Sequence, residues 1–338
     1  RFSSACSLNV MMMLFFISSL TMFMSGLIAN FEFDLKKIIA LSTLSQLGLM
    51  FSILSLGEQE LAFFHLLMHA LFKALLFLCA GMMIHNLCDS QDIRSMGSLI
   101  NFMPLTCVFF NISNFSLCGL PFLSGFYSKD LILEMMSFGY LNIYIYMIFF
   151  LSTGLTVSYS FRLLYYTLLS DFKFINFLLI NDSSSLMLKS MGGLIVFVIM
   201  GGGGLSWLIF PVPYFICLPL LMKMAVFFVI LMGLWMGYMI SYINLVDLSK
   251  SFNNLYFIGF LMSMFNLNFL STYGVNYYVL SLGGMLGDKL DQGWSEYFGS
   301  LMLNRFLRIN SLKMSLFFYN NFKLFLTIFL VWICLLML

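Results

Sequence analysis

The chain has 338 residues, of which 62% are hydrophobic and only 9% are charged, and its net charge is +2. A soluble domain carries about 25% charged residues, so this chain has too little polar surface to face water. The small net charge, without a basic stripe, gives no support for a nucleic-acid partner. The seven cysteines form no CxxC pair, so the sequence predicts no disulfide framework and no zinc or iron–sulfur site.

The apolar residues fall in blocks of about 20, which is the length that crosses a hydrocarbon core of about 30 Å. Strands of a membrane barrel would alternate apolar and polar residues, so the helix is the spanning structure that we expect. The pattern predicts an all-α membrane protein with a bundle of about eight transmembrane helices. The predicted spans are residues 9–29, 37–56, 61–86, 103–126, 141–168, 188–209, 216–241 and 321–338.

Lysine and arginine are distributed unevenly over the connecting loops. The loops after the second and sixth spans have none, whereas those after the first, third, fifth and seventh carry Lys36, Lys37, Arg94, Lys173, Lys189 and Lys250. The odd-numbered loops should therefore face the cytoplasm or the mitochondrial matrix. Arg162 and Lys223 lie near helix ends, and we expect both to extend to the membrane surface.

The second span contains a stripe of small polar residues. It consists of Ser42, Thr43, Ser45 and Gln46. Such side chains either line a water path or hold neighbouring helices together by hydrogen bonds. The sequence leaves both roles open.

The third span contains a row of titratable side chains. His65, His69 and Lys73 stand at i, i+4 and i+8, so they line one helix face over about 12 Å. A titratable group at membrane depth is costly unless it faces a cavity, water or a polar group, so the row predicts proton transfer. A simple helix–helix contact and a metal site at the two histidines are the alternatives. The nearby sequence has no acidic or cysteine side chain that could complete a metal site, so we predict no bound metal.

The fourth span is interrupted. Gly119, Pro121 and Gly125 fall within seven residues, and a break at membrane depth frees backbone groups that can hold water or ions. Three charged residues follow the break, namely Lys129, Asp130 and Glu134, and the two acids share a helix face at i, i+4. They are either part of a functional site or the headgroup-facing end of a helix.

Three segments follow the bundle, which we assign to residues 1–245. Residues 246–287 are apolar but interrupted by Asn and Gly, so we expect an irregular or short helical connection at the positive face. In residues 288–320, apolar residues recur every three or four positions and polar residues fall on the opposite side. This pattern predicts an amphipathic helix about 45 Å long that lies on a surface. Residues 321–338 form a terminal transmembrane anchor.

Four strings occur in order along the chain: KKIIALSTLSQLGLM, HLLMHALFKALLFLCAG, IHNLCDSQDIRSMGSLINFMPLT and GLPFLSGFYSKD. They closely resemble the subunit 5 family of mitochondrial NADH:ubiquinone oxidoreductase, respiratory complex I, in an insect or other invertebrate form. The dense resemblance covers residues 30–135, and the rest of the chain is similar in layout.

The resemblance implies an antiporter-like proton-pumping subunit of the membrane arm, in the mitochondrial inner membrane. It implies that His65, His69 and Lys73 form a central proton relay and that Lys129 and Asp130 lie on the exit side. The amphipathic segment would be a lateral helix that braces neighbouring antiporter-like subunits, among membrane lipids. NADH, FMN, iron–sulfur clusters and ubiquinone would bind other subunits, so no cofactor and no catalytic redox residue is expected in this chain.

The family's first half, with its Glu and Lys pair and another broken helix, has no counterpart before Arg1. We therefore expect a fragment or one piece of a split protein, which carries half of a proton path and needs the missing half to pump. Two alternatives remain open on the sequence. One is a cation/proton antiporter subunit of the same ancestral fold, and the other is a structural clamp of the membrane arm with an idle relay.

Overall fold

The computed structural model describes residues 5–139, 142–174, 180–182, 184–242, 255–319 and 321–338. This part of the chain is helical almost throughout, and its β-structure is limited to one isolated bridge between Asp34 and Asp92. The chain divides into two compact units, Arg1–Phe265 and Asn266–Leu338.

The first unit contains nine described helices. They are α1 (Leu8–Ala29), α2 (Leu35–Ser55), α3 (Gln59–Asn86), α4 (Pro104–Cys118), α5 (Ser124–Gly139), α6 (Ile143–Leu164), α7 (Ser185–Ile209), α8 (Leu220–Tyr242) and the short α9 (Leu255–Met262). Six of them, α1, α2, α3, α6, α7 and α8, are long and apolar enough to cross a membrane, and α6 continues in a π-helical turn to Leu169. These six confirm the first, second, third, fifth, sixth and seventh predicted spans.

The fourth predicted span is two helices rather than one. α4 ends at Cys118 and α5 begins at Ser124, so the helix is broken at the predicted place. The predicted end at residue 126 is wrong, because α5 continues to Gly139. The charged residues after the break lie within this helix and do not terminate it.

The bundle packs through close backbone contacts between small residues. A Cβ atom at Gly233 of α8 would lie 2.6 Å from the Gly154 carbonyl oxygen of α6, and one at Gly237 would lie 2.6 Å from that of Ser158. Small residues at i, i+4 let two membrane helices approach closely and gain van der Waals contact. α6 and α8 are therefore packed backbone to backbone.

The loops after α1, α3 and α6 lie at one end of the bundle. The Leu35 amide donates to the Gln91 carbonyl at 2.9 Å, and the Ser98 amide donates to the Ser170 carbonyl at 2.8 Å. The predicted positive loops after the first, third and fifth spans therefore share one face, as the charge pattern required. Lys250 lies outside the described residues.

Arg162 packs inside the protein and does not extend outward, so that expectation is wrong. It is buried, and its Nη1 donates to the Glu32 carbonyl at 2.6 Å and lies 3.5 Å from the Ala29 carbonyl. These carbonyls belong to the end of α1 and the turn that follows, where backbone acceptors lack helical partners and the helix dipole attracts a cation. Lys223, in contrast, is exposed as expected.

The second unit is built from two helices. α10 runs over Phe269–Tyr319 with several π-helical turns, and α11 (Phe322–Met337) makes an angle of 115° with it. α10 begins well before residue 288, because its Asn and Gly residues each cost a helix only about 1 kcal/mol or less. Residues 269–286 are therefore helical rather than irregular, and α10 can reach about 75 Å at 1.5 Å per residue.

Candidate functional site

The predicted row on α3 points into the bundle. His65 is 1% exposed and Lys73 is 4% exposed, whereas His69 is partly exposed. The neighbours at the helix positions beside them, Phe64, Met68 and Phe72, belong to the apolar core. His65 and Lys73 are thus enclosed by protein, whereas His69 between them is only partly enclosed.

His65 is held from two sides by polar side chains of other helices. Its Nδ1 lies 2.9 Å from the Ser128 hydroxyl of α5, and its Nε2 lies 3.1 Å from Gln46 Oε1 of α2. A neutral imidazole has one donor and one acceptor nitrogen, so an amide oxygen at Nε2 and a hydroxyl at Nδ1 satisfy both. This arrangement fixes the ring and places its Nδ1 beside a hydroxyl group.

Lys73 is bonded to the polar stripe of α2. Its Nζ donates to the Ser42 hydroxyl, which in turn donates to the Ile39 carbonyl at 2.7 Å. Ser45 and Gln46 lie on the same face as Ser42 and are buried. Thr43 lies off this face, since its hydroxyl donates to the Ala40 carbonyl in an exposed position, so the structure does not bring Thr43 into the site.

Several buried polar atoms inside the bundle have no hydrogen-bond partner among the described residues. A buried polar atom without a partner costs about 1–3 kcal/mol, and water normally offsets that cost where there is room. Within the described helices α3 to α6, such atoms include His69 Nε2, Asn114 Nδ2, Ser124 Oγ and the Tyr159 hydroxyl. The interior of the bundle therefore offers water several polar partners.

The break between α4 and α5 is built by two glycines. Gly119 ends α4 with φ +84°, a left-handed conformation that glycine adopts without steric cost. Gly125 lies against the Ser116 carbonyl of α4 so closely that a Cβ atom would overlap its oxygen. Pro121 lies in the turn between the two helices. All three predicted helix-breaking residues are thus at the break.

Lys129 lies beside this break and is 4% exposed. Its Nζ donates to the Thr156 hydroxyl of α6 at 2.7 Å and lies 3.4 Å from the Leu117 carbonyl near the end of α4. Its side chain also passes Gly119, where a Cβ atom would lie 3.6 Å from Lys129 Cδ. The broken helix therefore supplies a backbone carbonyl to a buried cation.

Asp130 and Glu134 lie on a different face of α5 from Lys129. Both are partly buried. The ion pairs in the described part of the chain are Lys37 with Asp34 and Arg94 with Asp92, so neither acid neutralises Lys129. The structure thus brings Lys129 to the helix break and leaves the two acids beside it, on the shared face that their spacing predicted.

Charged groups also meet at the positive end of the bundle. Arg94 holds the pKa of the Asp92 carboxyl below its usual value through a side-chain hydrogen bond, with its Nη2 2.5 Å from Asp92 Oδ2. Burial raises the pKa of the Glu32 carboxyl, and nearby Lys37 opposes that rise. The guanidinium groups of Arg94 and Arg162 lie 4.2 Å and 4.8 Å from the Phe33 ring centre.

Three side chains that sequence reasoning missed complete the site. Ser128 bonds His65, Thr156 bonds Lys129, and Tyr159 reaches the stripe of α2. Serine, threonine and tyrosine are common in membrane helices as packing or interface residues, so their types alone carry no signal. Ser128 precedes Lys129 directly and could have been suspected from that position.

A broken apolar helix with a buried lysine, packed beside a helix that carries a buried histidine–lysine row, defines an antiporter-like membrane subunit. The fold agrees, because a chain in a solved Mrp complex from Dietzia sp. DQ12-45-1b superposes with a TM-score of 0.52 at 18% identity, over 68% of this chain and 49% of that one. The protein-family model described as the NADH dehydrogenase subunit 5 C-terminus matches residues 159–338. The chain belongs to this subunit 5 family.

A second family model, that of the transmembrane part of NADH:quinone oxidoreductase and Mrp antiporters, matches residues 2–156. NADH-ubiquinone oxidoreductase chain 5 of Anopheles gambiae is 54% identical over 96% of this chain, and that of Locusta migratoria is 54% identical over 94%. The protein of that name from Sus scrofa is 41% identical over 64% of this chain. The chain spans 56% and 55% of the length of the two insect relatives.

Proposed function

We propose that this chain is a proton-translocating, antiporter-like part of respiratory complex I in the mitochondrial inner membrane. In this proposal, NADH oxidation and ubiquinone reduction by other subunits drive proton transfer through the bundle. The names of the insect relatives support the assignment to this enzyme. NADH, FMN, iron–sulfur clusters and ubiquinone would all bind elsewhere in the complex.

The observation that carries the proposal is the environment of the row on α3. His65 and Lys73 are enclosed in the bundle, yet each is bonded to polar side chains of neighbouring helices. Ionisable groups inside a membrane protein mark ion or proton pathways when they face a polar interior in this way. A purely structural role would require only one satisfied polar contact and not a row of three titratable groups.

Protons would move along His65, His69 and Lys73 and then to Lys129 before they leave the bundle. Lys73 and Lys129 are both buried, and neither forms an ion pair with a carboxylate of the described residues. Like charges disfavour one another, and His65 and His69 lie between the two lysines, so a positive charge that moves along the row would disfavour one on Lys129. Arrival of one proton at Lys73 would therefore promote the release of another proton from Lys129. Asp130 and Glu134, beside Lys129, are the groups we assign to the exit side.

The partners in this proposal are neighbouring antiporter-like subunits, membrane lipids and the segment or chain that carries the first half of the path. The two units support a division into a transmembrane bundle and a lateral helix with an anchor. α10 would rest on neighbouring subunits, since its apolar residues are exposed along its length.

Replacement of Lys73 by methionine in an assembled complex tests the function. Methionine keeps an unbranched chain of similar length and removes the charge, so we expect fewer protons pumped per NADH oxidised. Lys36→Met is the matched control, because Lys36 is exposed near the start of α2, lies outside the row and forms no ion pair with a described residue. An unchanged ratio of protons to NADH in Lys73→Met would reject the relay.

A cation/proton antiporter is the second candidate, favoured by the fold similarity to a chain of the Mrp complex. Vesicles that contain the chain would distinguish the two functions. An antiporter would exchange Na⁺ for protons along a sodium gradient without NADH, whereas the proposed subunit would move protons only during NADH oxidation.

If removal of residues 288–338 abolishes assembly while Lys73→Met pumps normally, the chain is a structural clamp.

A further inference from the structure

Tyr159 of α6 is a buried polar residue that the proposed path does not yet use. It is 2% exposed and is among the largest fully buried side chains of the described structure. Its hydroxyl makes no hydrogen bond of normal geometry to the described residues. A buried tyrosine normally finds a partner for its hydroxyl, since an unbonded one costs about 1–3 kcal/mol.

The Tyr159 hydroxyl faces the polar stripe of α2. Ser45, Gln46 and Ser42 are close enough to interact with it. Two of these residues are the partners of the α3 row, because Gln46 is bonded to His65 and Ser42 accepts from Lys73. Tyr159 therefore lies near the same side chains that hold both ends of the row.

Tyr159 also adjoins the Lys129 site. Thr156, which accepts the hydrogen bond from Lys129, precedes Tyr159 by three residues and so lies on nearly the same face of α6. The Cys118 thiol is near enough to both Tyr159 and Lys129 to interact electrostatically with each. α6 thus presents Tyr159 toward the row and Thr156 toward Lys129.

We infer that Tyr159 carries protons between the α3 row and Lys129, an inference that rests on the proposed function. The neutral phenol oxygen accepts a proton that leaves the Lys73 ammonium by way of Ser42. The phenol releases its own proton toward Thr156 and the neutral amine of Lys129. For this transfer the Ser42 and Thr156 hydroxyls turn away from the Ile39 and Thr153 carbonyls to which they donate. At each of the three hydroxyls one O–H bond forms as another breaks, one N–H bond of Lys73 breaks and one forms at Lys129, so all three hydroxyls stay neutral. Rotation of the hydroxyls then restores their starting orientations.

Tyr159→Phe in the assembled complex tests the inference, because it removes one oxygen and preserves the ring. We expect the ratio of protons pumped to NADH oxidised to fall by the same amount as in Lys73→Met. We also expect the solvent deuterium isotope effect on pumping to change. Tyr127→Phe is the matched control, since Tyr127 of α5 packs against the apolar core and should leave the ratio unchanged.

The ratio of protons to NADH is measured on assembled complexes and does not depend on their yield. If Tyr159→Phe lowers the yield too far to measure, Thr156→Val removes the next hydroxyl of the connection with little change of volume and should show the same loss. A normal ratio and isotope effect in either variant, beside a deficit in Lys73→Met, would overturn the inference and leave the proposed function intact. A normal ratio in Lys73→Met would instead reject the proposed function.

Discussion

The ammonium group of Lys73 donates a hydrogen bond to the hydroxyl of Ser42, so the end of the histidine–lysine row on α3 is joined to α2. This contact decides where the buried charge of Lys73 lies. It is the one hydrogen bond that the described residues provide to this ammonium group.

Ser42→Ala should impair proton transfer through Lys73. A hydrogen bond to a charged group contributes about 1.5–3 kcal/mol, so we expect the rate to fall about ten- to a hundredfold. Proton pumping by reconstituted complexes measures it. Thr43→Ala is the control, because the Thr43 hydroxyl bonds only its own helix in an exposed position. Equal rates in the two variants would contradict a role for the Lys73–Ser42 bond.

Gly125→Ala should prevent the broken helix from forming. The added methyl group would overlap the Ser116 carbonyl oxygen, which is backbone and cannot rotate away. We expect destabilisation above about 3 kcal/mol and a loss of assembled protein, measured by thermal unfolding in detergent. At Gly139, on the same helix, an added Cβ meets no atom within 4 Å, so Gly139→Ala should be tolerated. A normal unfolding temperature for Gly125→Ala would disprove this packing.

Arg162→Met should destabilise the connection between α1 and α6. The Glu32 carbonyl would lose its buried donor, and the end of α1 would lose a favourable charge, at a cost of about 2–4 kcal/mol. The same unfolding assay applies. Arg308→Met, on the exposed surface of α10, removes a charge of equal sign and should have little effect. Similar losses of stability from both substitutions would mean that the hydrogen bond from Arg162 to the Glu32 carbonyl is unimportant.

Asp92→Asn should weaken the loop after α3 in a pH-dependent way. Arg94 lowers the pKa of Asp92 in the folded chain, so the pair stabilises the loop above the ordinary aspartate pKa. That contribution is lost as the pH falls through the lowered value. Hydrogen exchange of residues 90–96 should therefore be faster in Asp92→Asn than in the parent at pH 7, and the difference should vanish in strong acid. The pair is exposed, so the effect at pH 7 should be below about 1 kcal/mol.

Asp89→Asn provides the control for this measurement, because Asp89 is exposed in the same loop and forms no ion pair with a described residue. It should leave exchange unchanged at both pH values. A difference between Asp92→Asn and the parent that persists in strong acid would have another cause than the Asp92–Arg94 pair.

Periodicity and spacing predicted much of this structure from the sequence. The i, i+4, i+8 spacing requires His65, His69 and Lys73 to share a face, and Gly119 with Gly125 is sufficient to locate the helix break. Blocks of apolar residues located six spans, because a helix in lipid must satisfy its own backbone.

Properties that depend on which helices meet could not be predicted in this way. Ser128, Thr156 and Tyr159 acquire their roles only when α5 and α6 pack beside α2 and α3. The expectation for Arg162 was wrong because an arginine near a helix end usually extends toward water. Here the end of α1 offers buried carbonyls that bind it inside the protein instead. Residues 269–286 take the helical of the two expected forms, because Asn and Gly weaken a helix without excluding it.

α6 combines several of these contacts on one rigid rod. Thr156 holds Lys129, Arg162 holds the end of α1, and Gly154 with Ser158 forms the backbone surface against which α8 packs. A small rotation of this rod would change all three contacts at once. Paired substitutions along α6 should therefore show energetic coupling, whereas pairs on separate helices without shared partners should add.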